Sequence, residues 1–209
     1  MALQDAPDKE RQGRSQHSFA QSLKDIRVWL LAAILFSYII GILGIGVWLP
    51  TILKTYRLSD TQVGFATALP YIIGSVAMLL WARILAKSQR YVKHLALTCG
   101  LAAIGFFGSV MSESLVPAML GLTVALIGLS SVRTCFYSIP ATFLSREAAA
   151  GGLAFINAVG SLGGLFGPYM VGWLKDVTGS FKAGLIGMGS MLVLATVLTL
   201  ILKTIIKEE

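Results

Sequence analysis

Charged side chains make up only 13% of the 209 residues, against about a quarter in an ordinary soluble domain. With 56% hydrophobic residues, so little charge cannot cover the apolar surface in water, which excludes a soluble globular fold. Acidic residues are the scarcest charges: 10 Asp and Glu stand against 17 Lys and Arg, for a net charge of +7. Cysteine is limited to Cys99 and Cys135, both in apolar stretches, so a disulfide framework is excluded and both read as small packing residues. The two histidines, His17 and His94, lie in the polar leader and at a span edge. Neither a histidine nor a carboxylate falls inside an apolar run, so no proton carrier is evident. No metal and no cofactor is expected. Residues 1–27 lack an apolar h-region, which excludes a secretory signal there.

Long apolar runs fill the rest. A membrane-crossing helix needs about 20 mostly apolar residues. The runs at about 28–49, 63–82, 94–111, 115–137, 150–173 and 183–203 each qualify. They are too long and too continuously apolar for strands. The expectation is an all-α membrane protein with a polar leader at 1–27, a six-span bundle over 28–203 and a tail at 204–209. Within the leader, Phe19, Leu23 and Ile26 at helical spacing predict an amphipathic helix over 18–27. Trp29, Trp48, Trp81 and Trp173 lie near span ends and read as interface anchors.

Six spans put both termini on one side of the membrane. That side collects 12 of the 17 Lys and Arg, the opposite side four, and Arg133 falls within the fourth span. The imbalance predicts cytoplasmic termini. It also accounts for the basic charge without a nucleic-acid partner.

A shift of 90 residues partly overlays the chain on itself. Pro50 meets Pro140, Gly74 meets Gly164, and the first three span starts fall close to the last three. Three spans is an odd number, so the second triplet enters from the opposite face. The pattern predicts a 3+3 inverted-repeat bundle, as found in secondary transporters.

Few polar groups lie in the apolar runs. Arg133 is the most informative, because a cation at mid-helix costs about 2.5–3.5 kcal/mol and needs a partner, a cavity or a route to water. A guanidinium facing a cavity would grip a carboxylate through two parallel hydrogen bonds. The alternative is that Arg133 snorkels to the near membrane face; a helix running past Pro140 to Phe143 would place it deeper. Asn157 either hydrogen-bonds a substrate or joins neighbouring helices. Tyr38 and Tyr71 lie further from span ends than Tyr137, which reads as a belt or packing residue. In the fifth span, Gly160, Gly163, Gly164 and Gly167 form overlapping small-residue pairs for close helix packing. Gly167-Pro168 is expected to weaken the helix there, as a hinge or binding site.

Several stretches carry a family likeness: LKDIRVWLLA and YIIGILGIGVWLPTILKTY around the first span, ALPYIIGSVAMLLWAR in the second, and FYSIPATFLSREAAAGGLAFINAVGSLGGLFGPYMVGWLKDVTGSF from the fourth span onward. Together they resemble the anion:cation symporter family of the major facilitator superfamily, which includes carriers similar to phthalate, tartrate and hexuronate transporters. The likeness runs from about Ser18 and matches the second six-span half of twelve-span members. It implies a proton-driven carrier of small organic anions in the bacterial inner membrane, working by alternating access. By position in the matching blocks, it implies cavity roles for Tyr38, Tyr71, Arg133 and Asn157. One departure is Ala86, in WARILAKSQRYVKH, where the family pattern has an acidic loop residue.

A six-span intramembrane serine protease would need a serine and a histidine in contact inside the bundle. His17 and His94 are badly placed for that, so an enzyme is not expected. The expected partners are a small organic anion, membrane lipid, and a separate N-terminal transporter half or a second copy of the chain. The competing reading is a membrane scaffold or a truncated relic without transport.

Overall fold

The computed structural model describes residues 23–143 and 146–206. The leader over 1–22 and residues 207–209 lie outside the described residues, and with them most of the expected amphipathic helix. The helices are α1 (Ile26–Lys54), α2 (Asp60–Ser88), α3 (Tyr91–Val110), α4 (Leu115–Phe136), α5 (Arg146–Ser161), α6 (Gly163–Thr178) and α7 (Phe181–Ile206). A 3-10 turn at Pro140–Thr142 follows α4. Helices α5 and α6 are two pieces of one span, so six segments are long and apolar enough to cross a membrane. Among the described residues there is no strand. The 29 residues of α1 extend about 44 Å, enough to cross a hydrocarbon layer of about 30 Å and project at both ends.

Local signals set the helix ends. Asp25 is extended and accepts a hydrogen bond from the Arg27 backbone N–H, so α1 starts at Ile26. This interrupts the helix expected to run continuously through 18–27. The Arg27 guanidinium chelates the Asp25 carboxylate at 2.6–3.0 Å and lies 4.3 Å from the Phe143 ring centroid. The start of α1 is thereby tied to the segment after α4. Ser59 and Gln62 form a reciprocal capping box at the start of α2, satisfying two backbone donors that would otherwise lack partners. Gln89 (φ 53°) turns α2 into α3, and Gly179 (φ 71°) ends α6. Helix α7 continues to Ile206, three residues into the expected tail.

The packing follows the repeat. Helix α1, first of the first triplet, packs on α5, α6 and α7, the later helices of the second triplet. Helix α4, first of the second triplet, packs on α2 and α3, the later helices of the first. Helices α3 and α7 pack on each other, while α1 and α4 touch only sparsely. Each triplet therefore completes the other, as an inverted repeat requires. The core lies between α1, α3, α4 and α7, with Leu31, Leu35, Leu49, Phe106, Leu122, Leu129, Met188 and Leu192 all buried.

Helices α2 and α6 are peripheral. Helix α2 buries only Val63, Pro70, Gly74 and Leu85, and α6 only Gly163, Gly167 and Val171. The glycines in these narrow stripes mark where the backbones meet. A Cβ on Gly74 would lie 3.0 Å from the Leu126 carbonyl oxygen of α4, and one on Gly167 would lie 2.6 Å from the Ile40 carbonyl oxygen of α1.

Two expectations need correction. The first concerns the tryptophans. Trp29 and Trp173 are exposed, but Trp48 and Trp81 pack against the protein core. The Trp48 indole N–H donates to the Pro168 carbonyl at 2.9 Å, so it joins α1 to α6. Trp81 lies edge-on to the His94 ring. The second concerns the fifth span, which breaks at Leu162 and not at Gly167-Pro168. Pro168 lacks an N–H for the Gly164 carbonyl four residues back, yet both residues lie within α6.

Candidate functional site

Arg133 lies in the last turn of α4, which stops at Phe136 and does not continue to Phe143. The residue is exposed. Its position follows from how α1 and α4 cross. Leu129 of α4 sits 3.3 Å from the Cβ position of Gly41 on α1. The two helices run in opposite directions, so one turn from that crossing brings Arg133 to Tyr38. The guanidinium is close enough to the Tyr38 phenol to interact with it electrostatically. Tyr38 is only 6% exposed. Among the described residues, no carboxylate forms an ion pair with Arg133.

Tyr137 and Asn157 complete the group. Tyr137 lies just beyond the end of α4, within electrostatic reach of Tyr38, and its hydroxyl donates to the Asn157 Oδ1 at 2.9 Å. The Asn157 amide in turn donates to the Leu153 carbonyl one turn back on α5. This second bond fixes which face of the amide points at Tyr137. Three of the four residues singled out in the sequence, Tyr38, Arg133 and Asn157, therefore meet around Tyr137, which the span-end argument assigned to belt or packing.

Tyr71 is elsewhere. Its hydroxyl is 3.6 Å from the Cβ position of Gly46, eight residues or about 12 Å further along α1. It is half-buried and does not join the cluster.

Gly160, Gly163, Gly164 and Gly167 of the fifth span all face α1. A Cβ on Gly160 would meet the Leu35 side chain, one on Gly163 the Phe36 carbonyl oxygen, and one on Gly164 the Leu43 side chain. Pro168 lies within α6, its carbonyl held by Trp48. Together these contacts bring the α5–α6 span close enough to α1 for Asn157 to reach Tyr137. Ala86 is exposed in the last turns of α2 and is not part of this cluster.

The site thus has one fixed cation, two phenols and a carboxamide. That set can hold an anion. The guanidinium supplies charge and paired donors, and the Tyr38 hydroxyl and the second N–H of the Asn157 amide can add to them, while the Tyr137 proton is committed to Asn157. Among the described residues there is no cluster of metal ligands.

Residues 3–168 match the sequence profile of the Major Facilitator Superfamily. The chain belongs to that superfamily. It is 40% identical over 202 residues to a "Putative tartrate transporter" of Agrobacterium vitis, covering 97% of this chain and 47% of the relative. It is 36% identical over 203 residues to a "Quinolone resistance transporter" of Acinetobacter baumannii, covering 97% of this chain and 46% of that protein. It is 31% identical over 207 residues to the "Putative metabolite transport protein NicT" of Pseudomonas putida, covering 97% and 46% respectively. The chain spans about half the length of the curated relatives it matches. The superfamily membership agrees with the six-span inverted-repeat bundle and with a place in a membrane.

Proposed function

We propose that this superfamily bundle is one half of a secondary carrier for small organic anions, and that Arg133, Tyr38, Tyr137 and Asn157 form one wall of the substrate path. The observation that carries the reading is an exposed guanidinium one turn before Tyr137, which bonds Asn157, with no carboxylate paired to it among the described residues. Tyr71, further along α1, would meet substrate at a later point on the path. The likeness to proteins named as tartrate and metabolite transporters supports an organic anion as cargo. One bundle offers a wall without an opposite side. Transport therefore needs a second six-span bundle, either a separate first half or another copy of this chain. The excess of Lys and Arg at the terminal side supports cytoplasmic termini in a bacterial inner membrane, and the family likeness supports coupling to protons.

The test is uptake of radiolabelled tartrate, phthalate and a sugar acid by cells expressing this chain alone, then with a matching first half. Insertion is checked by immunoblot of membranes. Accumulation with a matching first half, or alone as a self-associated carrier, supports the reading, provided Arg133→Gln abolishes it at equal expression. No uptake in either case, with both halves inserted, refutes it.

A further inference from the structure

A second feature lies on the opposite side of the bundle. Helices α3 and α7 pack on each other, and a groove of about 620 Å³ runs along their outer seam. Its floor and walls are apolar, with Leu97, Leu101 and Ile104 from α3 and Leu200 from α7. Its charged groups lie at one end, where Lys93 in the first turn of α3 and Lys203 in the last turns of α7 line the rim. None of the lining comes from α1, α4, α5 or α6, the helices that carry or support the anion cluster.

We infer that this groove is a specific site for an anionic glycerophospholipid, with one acyl chain along the α3–α7 seam and the phosphate between Lys93 and Lys203. Two observations select this occupant. The first is charge: two cations face the end of an otherwise apolar groove, which suits an amphiphile with a negative head and does not suit a neutral one. Basic pockets between membrane helices at the cytoplasmic side bind such headgroups. The second is length. From Lys93 to Ile104 the groove rises about 16 Å along α3, close to the thickness of one leaflet's hydrocarbon. A chain anchored at the lysines would reach the bilayer midplane where the apolar lining stops. Gly100 keeps the groove open: a Cβ there would come no nearer than 3.9 Å to Thr196, so a larger side chain would fit but would fill the space.

Native mass spectrometry of the full purified chain tests the site. The chain is incubated with equimolar phosphatidylglycerol and phosphatidylcholine bearing the same acyl chains. A cation beside an anionic membrane surface is worth about fivefold in affinity, so two predict a preference for phosphatidylglycerol of roughly thirtyfold. Lys93→Gln with Lys203→Gln should bring the two lipids to near parity, and either change alone should leave roughly fivefold. Lys87→Gln with Arg90→Gln, at the same end of the bundle but outside the groove, should keep the full preference. Gly100→Leu should reduce the binding of both lipids. Parity in the unaltered chain overturns the inference. So does a preference that survives loss of both lysines, one that falls equally in the Lys87/Arg90 variant, or lipid binding that Gly100→Leu leaves unchanged.

Discussion

Gly105→Ala should be one of the most damaging single-methyl changes in this bundle, and Gly108→Ala, one turn further on, among the mildest. Helices α3 and α4 cross with their backbones in contact. A Cβ on Gly105 would meet the Ala125 backbone, lying 2.6 Å from its Cα and 2.7 Å from the Gly121 carbonyl oxygen. Ordinary contact begins near 3.4 Å, so the methyl falls about 0.8 Å short of the space it needs. All of the obstructing atoms are backbone and cannot rotate away. The helices must separate locally, and a gap of 0.5–1 Å forfeits about a quarter to a half of each contact's dispersion energy. Overpacking of this kind costs about 1–3 kcal/mol. A Cβ on Gly108 would meet nothing within 4 Å, so its alanine variant should be neutral or gain up to about 1 kcal/mol from helix propensity. Reversible unfolding of the purified chain in mixed micelles, followed by circular dichroism, measures both. A Gly105→Ala variant as stable as the parent would mean that α3 and α4 do not touch along this line, and the packing argument would fail.

Other outcomes follow from the anion cluster and the start of α1. In the assembled carrier, Arg133→Gln should weaken binding of a small carboxylate roughly 10- to 150-fold, the worth of a hydrogen bond to a charged group. Arg133→Lys should recover only part of this, because an ammonium lacks the planar fork; equilibrium binding of the radiolabelled anion distinguishes the two. The Tyr137 hydroxyl and Asn157 amide should show a coupling of about 0.5–1.5 kcal/mol in a double-mutant cycle using Tyr137→Phe and Asn157→Leu, measured by unfolding. At the start of α1, the Arg27 side chain holds the Asp25 carboxyl below its usual value. Its contribution to stability is therefore complete above the unfolded value of about 3.9 and is lost as pH falls through the lower folded value. Asp25→Asn, which keeps a capping side chain, should flatten the acid side of the stability profile and leave the profile near neutral pH without a new slope.

The spans were legible because apolar runs of membrane length leave few alternatives. The ends moved outward where capping chemistry decided them, as at Ser59 for α2 and at Asp25 for α1. Arg133 stood out from cost alone: a cation in an apolar run demands a reason. Tyr137 did not stand out, since its meaning depends on Asn157, twenty residues away and on another helix. No periodicity encodes that meeting. Trp48 was misread for a similar reason. Its place at a span end is that of a belt residue, but the peripheral α6 lies over it and offers the Pro168 carbonyl. The position of the break in the fifth span was off by about one turn and a half, because Pro168 is accommodated inside α6 with its carbonyl held by Trp48.

The repeat explains which surfaces are finished and which are not. Each leading helix, α1 or α4, is enclosed by the later helices of the other triplet, and α3 and α7 close the far side against each other. The two middle spans have no equivalent enclosure. Helix α2 leaves Phe65, Leu69, Ile72 and Val76 exposed beyond its narrow stripe, and α6 leaves Leu165, Phe166 and Tyr169. In lipid an exposed leucine carries no penalty, since hydrocarbon is as apolar as the side chain. The energetic demand therefore comes from the polar side. Arg133 is exposed near the end of α4, one turn before Tyr137, which bonds Asn157 of α5, and a guanidinium facing hydrocarbon is more costly than any neutral side chain. In the proposed carrier, a water-filled path past Arg133, with a second bundle as its other wall, would remove that cost.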